Sequence, residues 1–373
     1  MGNAAPPGAY LHLGRRILVL ALALGGVAAL AAAPAFAQAT FRIAVDSDAK
    51  TLDPALENGV WGNVLAYVAQ PLLTLDRSGT IVPDLATDWH RSADGSTVVF
   101  HLRRGVSFQD GTPFDARAAK WNLQRVMDPK VHSLIRVAFS DVSSNEIVYP
   151  YTLVLHLTLP AMDPVPALAT MFTAMLSPAS VKEHGNTYRT IHWPVGTGPY
   201  RFASYRKETR VVMDRFEGYW GRKSYYPHVE FQIVPSSATR RAMLLAGQTD
   251  MAVAPSLSDL AALKADPRVD VSLTPSDLSF YVGLNTSRPP LDDVRVRQAL
   301  NYAVNKAAII HDVLHDTVTR ADSVVPASVF GYARLRPYVY DPAKAKALLA
   351  DAGVKPGSLT LHMIVPTNQA TAA

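Results

Sequence analysis

The sequence predicts an α/β fold built on a mixed sheet. Two observations support this prediction: strand-like and helix-like segments alternate along most of the chain, and the composition is that of a globular protein. The 373 residues are 49% apolar and include 27 prolines and 21 glycines that punctuate the segments. A chain of this length and apolar content can bury roughly two domain cores. The composition argues against disorder, because disordered segments are poor in apolar residues.

The N-terminal third predicts a strand, a helix and a second strand. FRIAV, residues 41–45, is a short apolar run of strand character, and the polar loop DSDAKTLDP follows it. Residues 59–73 carry apolar side chains at helical spacing and end near Pro71. VVFHL, residues 98–102, comes after an Asp-Gly turn and predicts a further strand.

The middle third continues the alternation. Residues 111–128 predict a helix introduced by a turn, and residues 151–159 predict a strand. The stretch SSATRRAMLLAGQTDMAV predicts a helix in which Gly247 suits a C-terminal cap. Further strands are expected around RVVMDRF and HVEFQIV.

The last third predicts two strands and two helices. Residues 278–286 and 359–366 have strand character, and residues 341–354 predict a helix that ends at Gly353. A helix is also expected over residues 293–307, capped by Asp292 or Asp293. Its apolar stripe should be buried. The stripe consists of Val296, Ala299, Leu300, Ala303, Val304 and Ala307.

Residues 1–37 predict a cleaved secretory signal peptide. Arg15 and Arg16 precede an apolar run, and the small residues AFA at 35–37 provide a cleavage site before Gln38. A membrane anchor is the alternative, but the run is rich in Ala and Gly and only weakly hydrophobic. We therefore expect a periplasmic protein.

Cysteine content and charge exclude several classes of protein. The chain has no cysteine, so it has no disulfide, no thiolate metal site and no lipid-modified N-terminal cysteine. Arg15 and Arg16 are the only charged residues before Gln38, so their removal lowers the net charge from +5 to +3. The basic residues are scattered rather than grouped in a stripe, and no nucleic-acid partner is expected.

Motifs for catalysis and cofactor binding are absent or incomplete. The Walker A, dinucleotide-binding and nucleophile-elbow patterns do not occur, and we expect no cofactor. HDVLHD places His311 and His315 four residues apart, as zinc ligands on a helix would be, but Asp312 stands where a zincin needs Glu. We favour two histidines on a solvated helix end. A secreted metallohydrolase using this pair is the alternative.

Two further features are candidate ligand contacts. Gly196 and Gly198 in VGTGPY could let the backbone approach a ligand, but Pro199 and the strand that follows favour a structural turn. Trp61 is the stronger candidate among the aromatic residues, because it follows the polar loop after the first strand. Open α/β sheets bind ligands at the carboxyl ends of their strands.

Several long stretches, in one order, resemble the family 5 extracellular solute-binding proteins, the periplasmic receptors of peptide and nickel ABC transporters. Together they cover nearly all of residues 41–366. The stretches are TLDPALENGVW, PDLATDWHRSADGSTVVFHLRRGVSFQDGTPFDA, PVGTGPYRF, GYWG, GQTDM, LNTSRPPLDDVRVRQALNYAVNK and YDPAKAKALLADAG.

The resemblance implies a type II periplasmic-binding-protein fold with two lobes and an inserted subdomain. Residues 38–74 and 187–275 would form the core of lobe I, residues 75–186 the insertion, and residues 276–373 the N-terminal part of lobe II. Family members normally run past this length, so we expect a second lobe that is incomplete. A truncated homologue that transports nothing is therefore a third interpretation.

The resemblance also implies the function and the contacts. The protein would bind a small peptide or similar solute, act with an inner-membrane ABC permease and be a monomer without enzymatic activity or a bound metal. A nickel or metal-chelate ligand is an alternative, although Gln124 and the uncharged stretch MFTAML stand where the nickel branch uses arginines. Trp61 joins the matched contact positions, which are Asn58, Gly59, Val60, Val253, Ala254, Phe280 and Tyr281.

Overall fold

The computed structural model describes residues 40–57, 60–158, 163–274, 279–327, 329 and 331–364. The predicted signal peptide, residues 1–37, lies outside the described residues. The strands are β1 (Thr40–Val45), β2 (Leu73–Leu75), β3 (Ile81–Pro83), β4 (Ala86–Arg91), β5 (Thr97–Leu102), β6 (Val142–Tyr149), β7 (Thr152–Leu157), β8 (Tyr200–Arg206), β9 (Arg210–Arg215), β10 (His228–Ile233) and β11 (Met251–Ala252).

The helices alternate with these strands, so the predicted α/β class is confirmed. Among the described residues, no helix has the length and apolar character needed to cross a bilayer. The α-helices are α1 (Val60–Leu65), α2 (Ala116–Met127), α3 (Ser237–Leu245), α4 (Leu260–Ala265), α5 (Val294–Ala303), α6 (Lys306–Ala308) and α7 (Pro342–Asp351).

A five-stranded mixed sheet has the strand order β11-β1-β10-β9-β8. β1 pairs in parallel with both β10 and β11, whereas β9 pairs antiparallel with β10 and β8. The carboxyl ends of the three parallel strands therefore meet at one edge of the sheet. Beside the sheet, α1 contributes Val64 and Leu65 to a core that also contains Phe231.

A second, four-stranded antiparallel sheet has the order β4-β5-β7-β6. Val98, Phe100 and Leu102 alternate along β5 and are buried, as the period of two in a half-buried strand requires. Helix α2 contributes Leu123 to the same core. The Asp115 carboxylate caps α2 by accepting from the first-turn N–H groups. The opposite face of β4 and β5 is less buried.

The side chain of Gln109, which follows β5, links the four-stranded-sheet unit to the backbone beside the five-stranded sheet. The amide of Gln109 donates to the carbonyls of Val68 at 2.9 Å and Tyr200 at 2.7 Å, and its oxygen accepts from Gly196 N at 3.1 Å. A Cβ on Gly196 would lie 2.2 Å from the Val68 oxygen, and one on Gly198 would lie 2.5 Å from the Tyr67 oxygen. These glycines permit backbone packing, so the structural interpretation of VGTGPY is confirmed.

Helices α5 and α7 pack against each other near the end of the described chain. Asp293 caps α5 as predicted, accepting from Arg295 N at 2.8 Å. The prediction that the whole apolar stripe is buried was wrong in part, because Val304 is 41% exposed. Val296 and Ala299 are buried, whereas Ala303 and Ala307 are exposed.

Two predicted strands are not strands in the described residues. Residues 279–286 and 359–364 form no ladder, and the remaining residues of those two predictions lie outside the described part. The backbone groups of a strand need a neighbouring strand, and no described segment pairs with either stretch. The apolar pattern of these two stretches predicted strands, but it did not specify a partner strand.

Candidate functional site

The candidate site is the edge of the five-stranded sheet where β1, β10 and β11 end. Beyond the strands, Val234 N donates to Val45 O at 2.8 Å and Val253 N donates to Ala44 O at 2.9 Å. These two bonds keep the three strand ends side by side. Residues 46–50, 234–236 and 253–254 consequently leave the sheet together, in the position where open α/β sheets bind ligands.

Arg240 of α3 holds two of these three loops together from beneath. Its side chain is buried, and all four of its hydrogen bonds go to backbone carbonyls. Nε donates to Val253 O at 3.0 Å and Nη2 to Ala254 O at 2.6 Å, while Nη1 donates to Val234 O at 2.7 Å and Pro235 O at 2.8 Å. The planar guanidinium thus fixes the relative positions of the β10 and β11 ends.

The backbone at this edge has an unusual conformation. Ala254 has a φ of 51°, in the left-handed region that a non-glycine residue seldom occupies.

Burial lowers the pKa of Arg240 below its ordinary value, and the nearby Asp46 carboxylate opposes this effect. Arg240 therefore places a buried positive charge under the loops that the β1, β10 and β11 ends carry.

The loop after β1 is anchored by two aromatic side chains. Trp61 Nε1 donates to Ser47 O at 2.8 Å, and the Tyr205 hydroxyl donates to Asp48 Oδ2 at 3.0 Å. Burial raises the pKa of Tyr205 to about 12, and the hydrogen bond and charge of Asp48 act in the same direction. Tyr205 remains a hydrogen-bond donor at neutral pH, so it fixes the Asp48 carboxylate.

The segment before the predicted contact loop at 58–60 is anchored by buried charge. The Asp53 carboxylate pairs with the Arg125 guanidinium of α2, and both side chains are buried. Arg125 Nε also donates to Tyr188 O at 2.7 Å. Asp53 Oδ2 accepts from Ile191 N at 3.2 Å. Residues 51–57 are therefore fixed to the α2 unit on one side of the loop, and α1 begins on the other side.

The structure brings some of the predicted contact residues together at this edge. Val253 and Ala254 lie on it, and Val60 begins α1. Trp61 is buried at 1% exposure, so it positions the loop after β1 and offers no open ring surface. Phe280 and Tyr281 are 79% and 80% exposed. Asn58 and Gly59 lie outside the described residues.

Sequence reasoning did not identify Arg240, Asp53 or Arg125. A signal for Arg240 was available, because it shares a helix face with Met243 and Leu244, three and four residues further along α3. An arginine on an inward-facing stripe needs acceptors, and unpaired strand-end carbonyls supply them. No comparable signal identifies Asp53 and Arg125, which are 72 residues apart.

The HDVLHD pair lacks the regular helical geometry of zinc ligands four residues apart. His311 lies in the π-helical turn Ile309–Val313, whereas His315 lies beyond it with a φ of 49°. The two rings therefore do not share a regular helix face. His311 Nδ1 instead lies 2.9 Å from Asp316 Oδ2. Among the described residues, the cluster of three metal-ligand side chains includes neither histidine.

Comparison with known proteins points to one family. Residues 80–373 match the family described as bacterial extracellular solute-binding proteins, family 5 Middle. The glutathione-binding protein GsiB of Shigella dysenteriae serotype 1 is 34% identical over 343 residues, which is 91% of this chain and 66% of GsiB. The chain thus spans 66% of the length of the curated relatives it matches.

Solved structures show the same similarity. The periplasmic binding protein DppA from Helicobacter pylori, in complex with the peptide STSA, superposes with a TM-score of 0.74 at 26% identity, covering 85% of this chain and 66% of DppA. NikA from Brucella suis, in complex with Fe(III)-EDTA, superposes with a TM-score of 0.72 at 28% identity, covering 84% of this chain and 64% of NikA.

Proposed function

The chain belongs to the bacterial extracellular solute-binding proteins of family 5, and we propose that it binds a peptide-like solute between two lobes and delivers it to the permease of an ABC transporter. The named ligands of two similar proteins support the solute class. Glutathione is itself a tripeptide, and STSA is a tetrapeptide. We place the protein in the periplasm as a monomer, with an inner-membrane permease as its partner.

The proposed division of lobe I into a core and an inserted subdomain follows the two larger sheets. Residues 38–74 and 187–275 form the core of lobe I, because the five-stranded sheet takes its strands from both segments. Residues 75–186 form an inserted subdomain around the four-stranded sheet. Residues 276–373 contribute to lobe II, to which α5 and α7 belong.

The single observation that carries this proposal is the set of three loops at the carboxyl edge of β1, β10 and β11. Arg240 and Trp61 fix these loops from below, so their backbone groups present a shaped surface to a ligand. A peptide offers alternating N–H and C=O groups that suit such a backbone surface. We assign the lobe I contacts to residues 58–60, 253 and 254. Trp61 supports the neighbouring loop after β1 through its hydrogen bond to Ser47 O.

Ligand binding is coupled to closure in this proposal. A solute shifts a two-lobed protein towards its closed form only if it binds that form more tightly than the open form. A shift from 1:99 to 99:1 needs about 5.5 kcal/mol of differential affinity. Contacts from Phe280 and Tyr281, in addition to those from lobe I, would supply part of it. The solute is released unchanged, so the proposal requires no catalytic residue.

Calorimetry of the purified protein with defined solutes tests the proposal. The panel is glutathione, the dipeptide Met-Leu, the tetrapeptide STSA and the Ni²⁺–histidine chelate. We expect heat and one-to-one binding with at least one peptide, together with a smaller radius of gyration in solution scattering. Binding of the chelate alone would overturn the peptide assignment. The absence of heat and of compaction with all four would overturn the receptor function.

Two exposed aromatic residues allow a matched test of the contact assignment. Phe280→Ala and Tyr281→Ala should weaken binding of the peptide identified above by roughly tenfold each, because aromatic anchors dominate contact energies. Tyr225→Ala is the control, since Tyr225 is 83% exposed and lies outside the assigned contacts. Equal affinity for all three variants and the wild type would remove Phe280 and Tyr281 from the site.

A further inference from the structure

Three metal-ligand side chains lie together on the solvent face of the four-stranded sheet, on the hairpin of β4 and β5. Asp88 and His90 are two residues apart on β4 and therefore share a face. His101 on β5 is the register partner of Asp88. Two adjacent strands thus bring together two imidazoles and one carboxylate.

The distances between these groups are short. Asp88 Oδ1 and His101 Nδ1 are 2.5 Å apart, and the rings of His90 and His101 have centroids 5.8 Å apart. One ligand atom from each of the three residues lies within 4.8 Å of the others. Ligand atoms around a tetrahedral ion with bonds of 2.0–2.1 Å are about 3.3 Å apart. To reach this spacing, the 2.5 Å separation must lengthen by about 1 Å and a separation of up to 4.8 Å must shorten by about 1.5 Å, changes that side-chain rotations can provide.

We propose that Asp88, His90 and His101 form a binding site for a late first-row divalent cation, represented by Zn²⁺ or Ni²⁺. Imidazole nitrogens suit these ions, and a donor set of two imidazoles and one carboxylate favours them over Mg²⁺ and Ca²⁺, which prefer all-oxygen ligands. The site does not rest on the proposed solute receptor function, and it lies on a different sheet from the candidate solute edge.

The surroundings hold the ligands in place. The Thr87 hydroxyl is 3.1 Å from Asp88 Oδ2 and 3.2 Å from His101 O, so it fixes the carboxylate oxygen that faces away from the ring. Such outer contacts orient metal ligands. The side chains of Asp88 and His101 are 59% and 45% exposed, so water can complete the coordination.

The same sheet provides a matched control. His156 on β7 lies 2.9 Å from Glu146 on β6, which makes one imidazole and one carboxylate on neighbouring strands. Like the proposed site, this pair lies on a β-hairpin and its side chains are exposed to a similar degree. It differs in having no second imidazole. The His156 pair therefore tests whether one imidazole and one carboxylate on neighbouring strands suffice to bind the metal.

The test is calorimetric titration of the untagged protein with ZnCl₂ and NiSO₄. We expect one equivalent of metal, with His90→Ala and His101→Ala each weakening binding by more than about tenfold, since loss of an outer-shell partner alone costs about 10–100-fold. His156→Ala should leave the affinity unchanged. All three histidines are on the surface, and circular dichroism checks that the variants fold.

Two results would overturn this site. One is the absence of any stoichiometric metal binding by the wild type. The other is binding that survives His90→Ala and His101→Ala but disappears in His311→Ala, which would place the ion at residues 311–316. Peptide binding by the wild type should be the same with and without Zn²⁺, so failure of the metal site and failure of the receptor function are distinguishable.

Discussion

The Asp53 carboxylate and the Arg125 guanidinium form a buried ion pair with two hydrogen bonds across 72 residues of sequence. Their side chains are 0% and 3% exposed. Arg125 belongs to α2 of the four-stranded-sheet unit, whereas Asp53 lies in the segment that leads to the predicted contact loop at 58–60. The pair therefore links helix α2 to the segment that precedes α1.

Removal of the Arg125 charge should strongly destabilise the fold. Arg125→Met leaves the Asp53 carboxylate buried without its partner, and breaking a buried ion pair in this way costs about 3–5 kcal/mol. Urea denaturation measures the change in the free energy of unfolding. Adding Asp53→Asn should recover part of the loss, because no buried charge then remains.

Arg117 on the same helix is the control for this prediction. It is 82% exposed and pairs with Asp115 at 3.5 Å. Arg117→Ala should change the free energy of unfolding by less than about 1 kcal/mol, as is usual for surface pairs. Equal losses for Arg117→Ala and Arg125→Met would mean that the buried pair has no special contribution.

Gly196 and Gly198 should not tolerate a methyl group. Gly196→Ala would bring its Cβ within 2.2 Å of Val68 O, and Gly198→Ala would bring its Cβ within 2.5 Å of Tyr67 O. The backbone must move, and overpacking of this kind costs about 1–3 kcal/mol. A lower midpoint in thermal unfolding is the expected result for each variant.

Gly62 in α1 provides the opposite expectation. The nearest atom to a Cβ there is Glu57 O at 3.8 Å, an ordinary contact. Gly62→Ala should be neutral or stabilise the protein by up to about 1 kcal/mol, because alanine has the higher helix propensity. A loss at Gly62 as large as that at Gly196 would contradict the close-packing argument.

Sequence patterns predicted the structural features that depend on residues close together in the chain. The alternation along β5 and the cap at Gly247, with its φ of 69°, both follow from neighbouring residues. The strand expected over residues 278–286 depended on a partner that no local pattern specifies, and the described part of it is not a strand.

The candidate site shows the same contrast between residues predicted from the sequence and residues that depend on distant partners. Val253 and Ala254 were predicted from a family motif, and they lie at the strand edge. The residues that hold this edge act through distant partners: Arg240 binds carbonyls from two separate loops, and Arg125 binds Asp53 from another sheet unit. A side chain in a sequence does not show which distant carbonyl or carboxylate it will meet.

Asp84 should make stability fall as the pH rises. Burial raises the pKa of Asp84 from 3.8 to about 6, although Arg103 and the hydrogen bond from Gln70 oppose this. Between these two pH values the folded state binds a proton that the unfolded state has lost, so stability declines from about pH 4 to pH 6. The raised pKa corresponds to up to about 3 kcal/mol. Asp84→Asn should flatten the stability profile over this range, measured by urea denaturation at each pH.

Asp94 should show the opposite sign. Hydrogen bonds from Ser92 and Ser96 lower the pKa of Asp94 to about 2, so its contribution to stability is present above about pH 4 and is lost as the pH falls towards 2. Asp94→Asn should therefore be less stable than the wild type above about pH 4, and the two stability profiles should converge as the pH falls towards 2. The preceding prediction for Asp84 has its own refutation. If the wild type and Asp84→Asn showed the same dependence of stability on pH, the raised pKa of Asp84 would be wrong.

Arg240 should be needed both for stability and for solute binding. Arg240→Lys keeps a positive charge but cannot reproduce four hydrogen bonds with one ammonium, and buried carbonyls left unpaired cost about 1–3 kcal/mol each. We expect a loss of at least about 3 kcal/mol in urea denaturation. Hydrogen exchange should speed up at the amides that follow the β10 and β11 ends.

Arg241 on the same helix is 41% exposed and pairs with Asp259, so Arg241→Lys should change stability by less than about 1 kcal/mol. If Arg240→Lys retained full peptide affinity while exchange at residues 253–254 increased, the proposed role of those two residues in solute binding would be wrong.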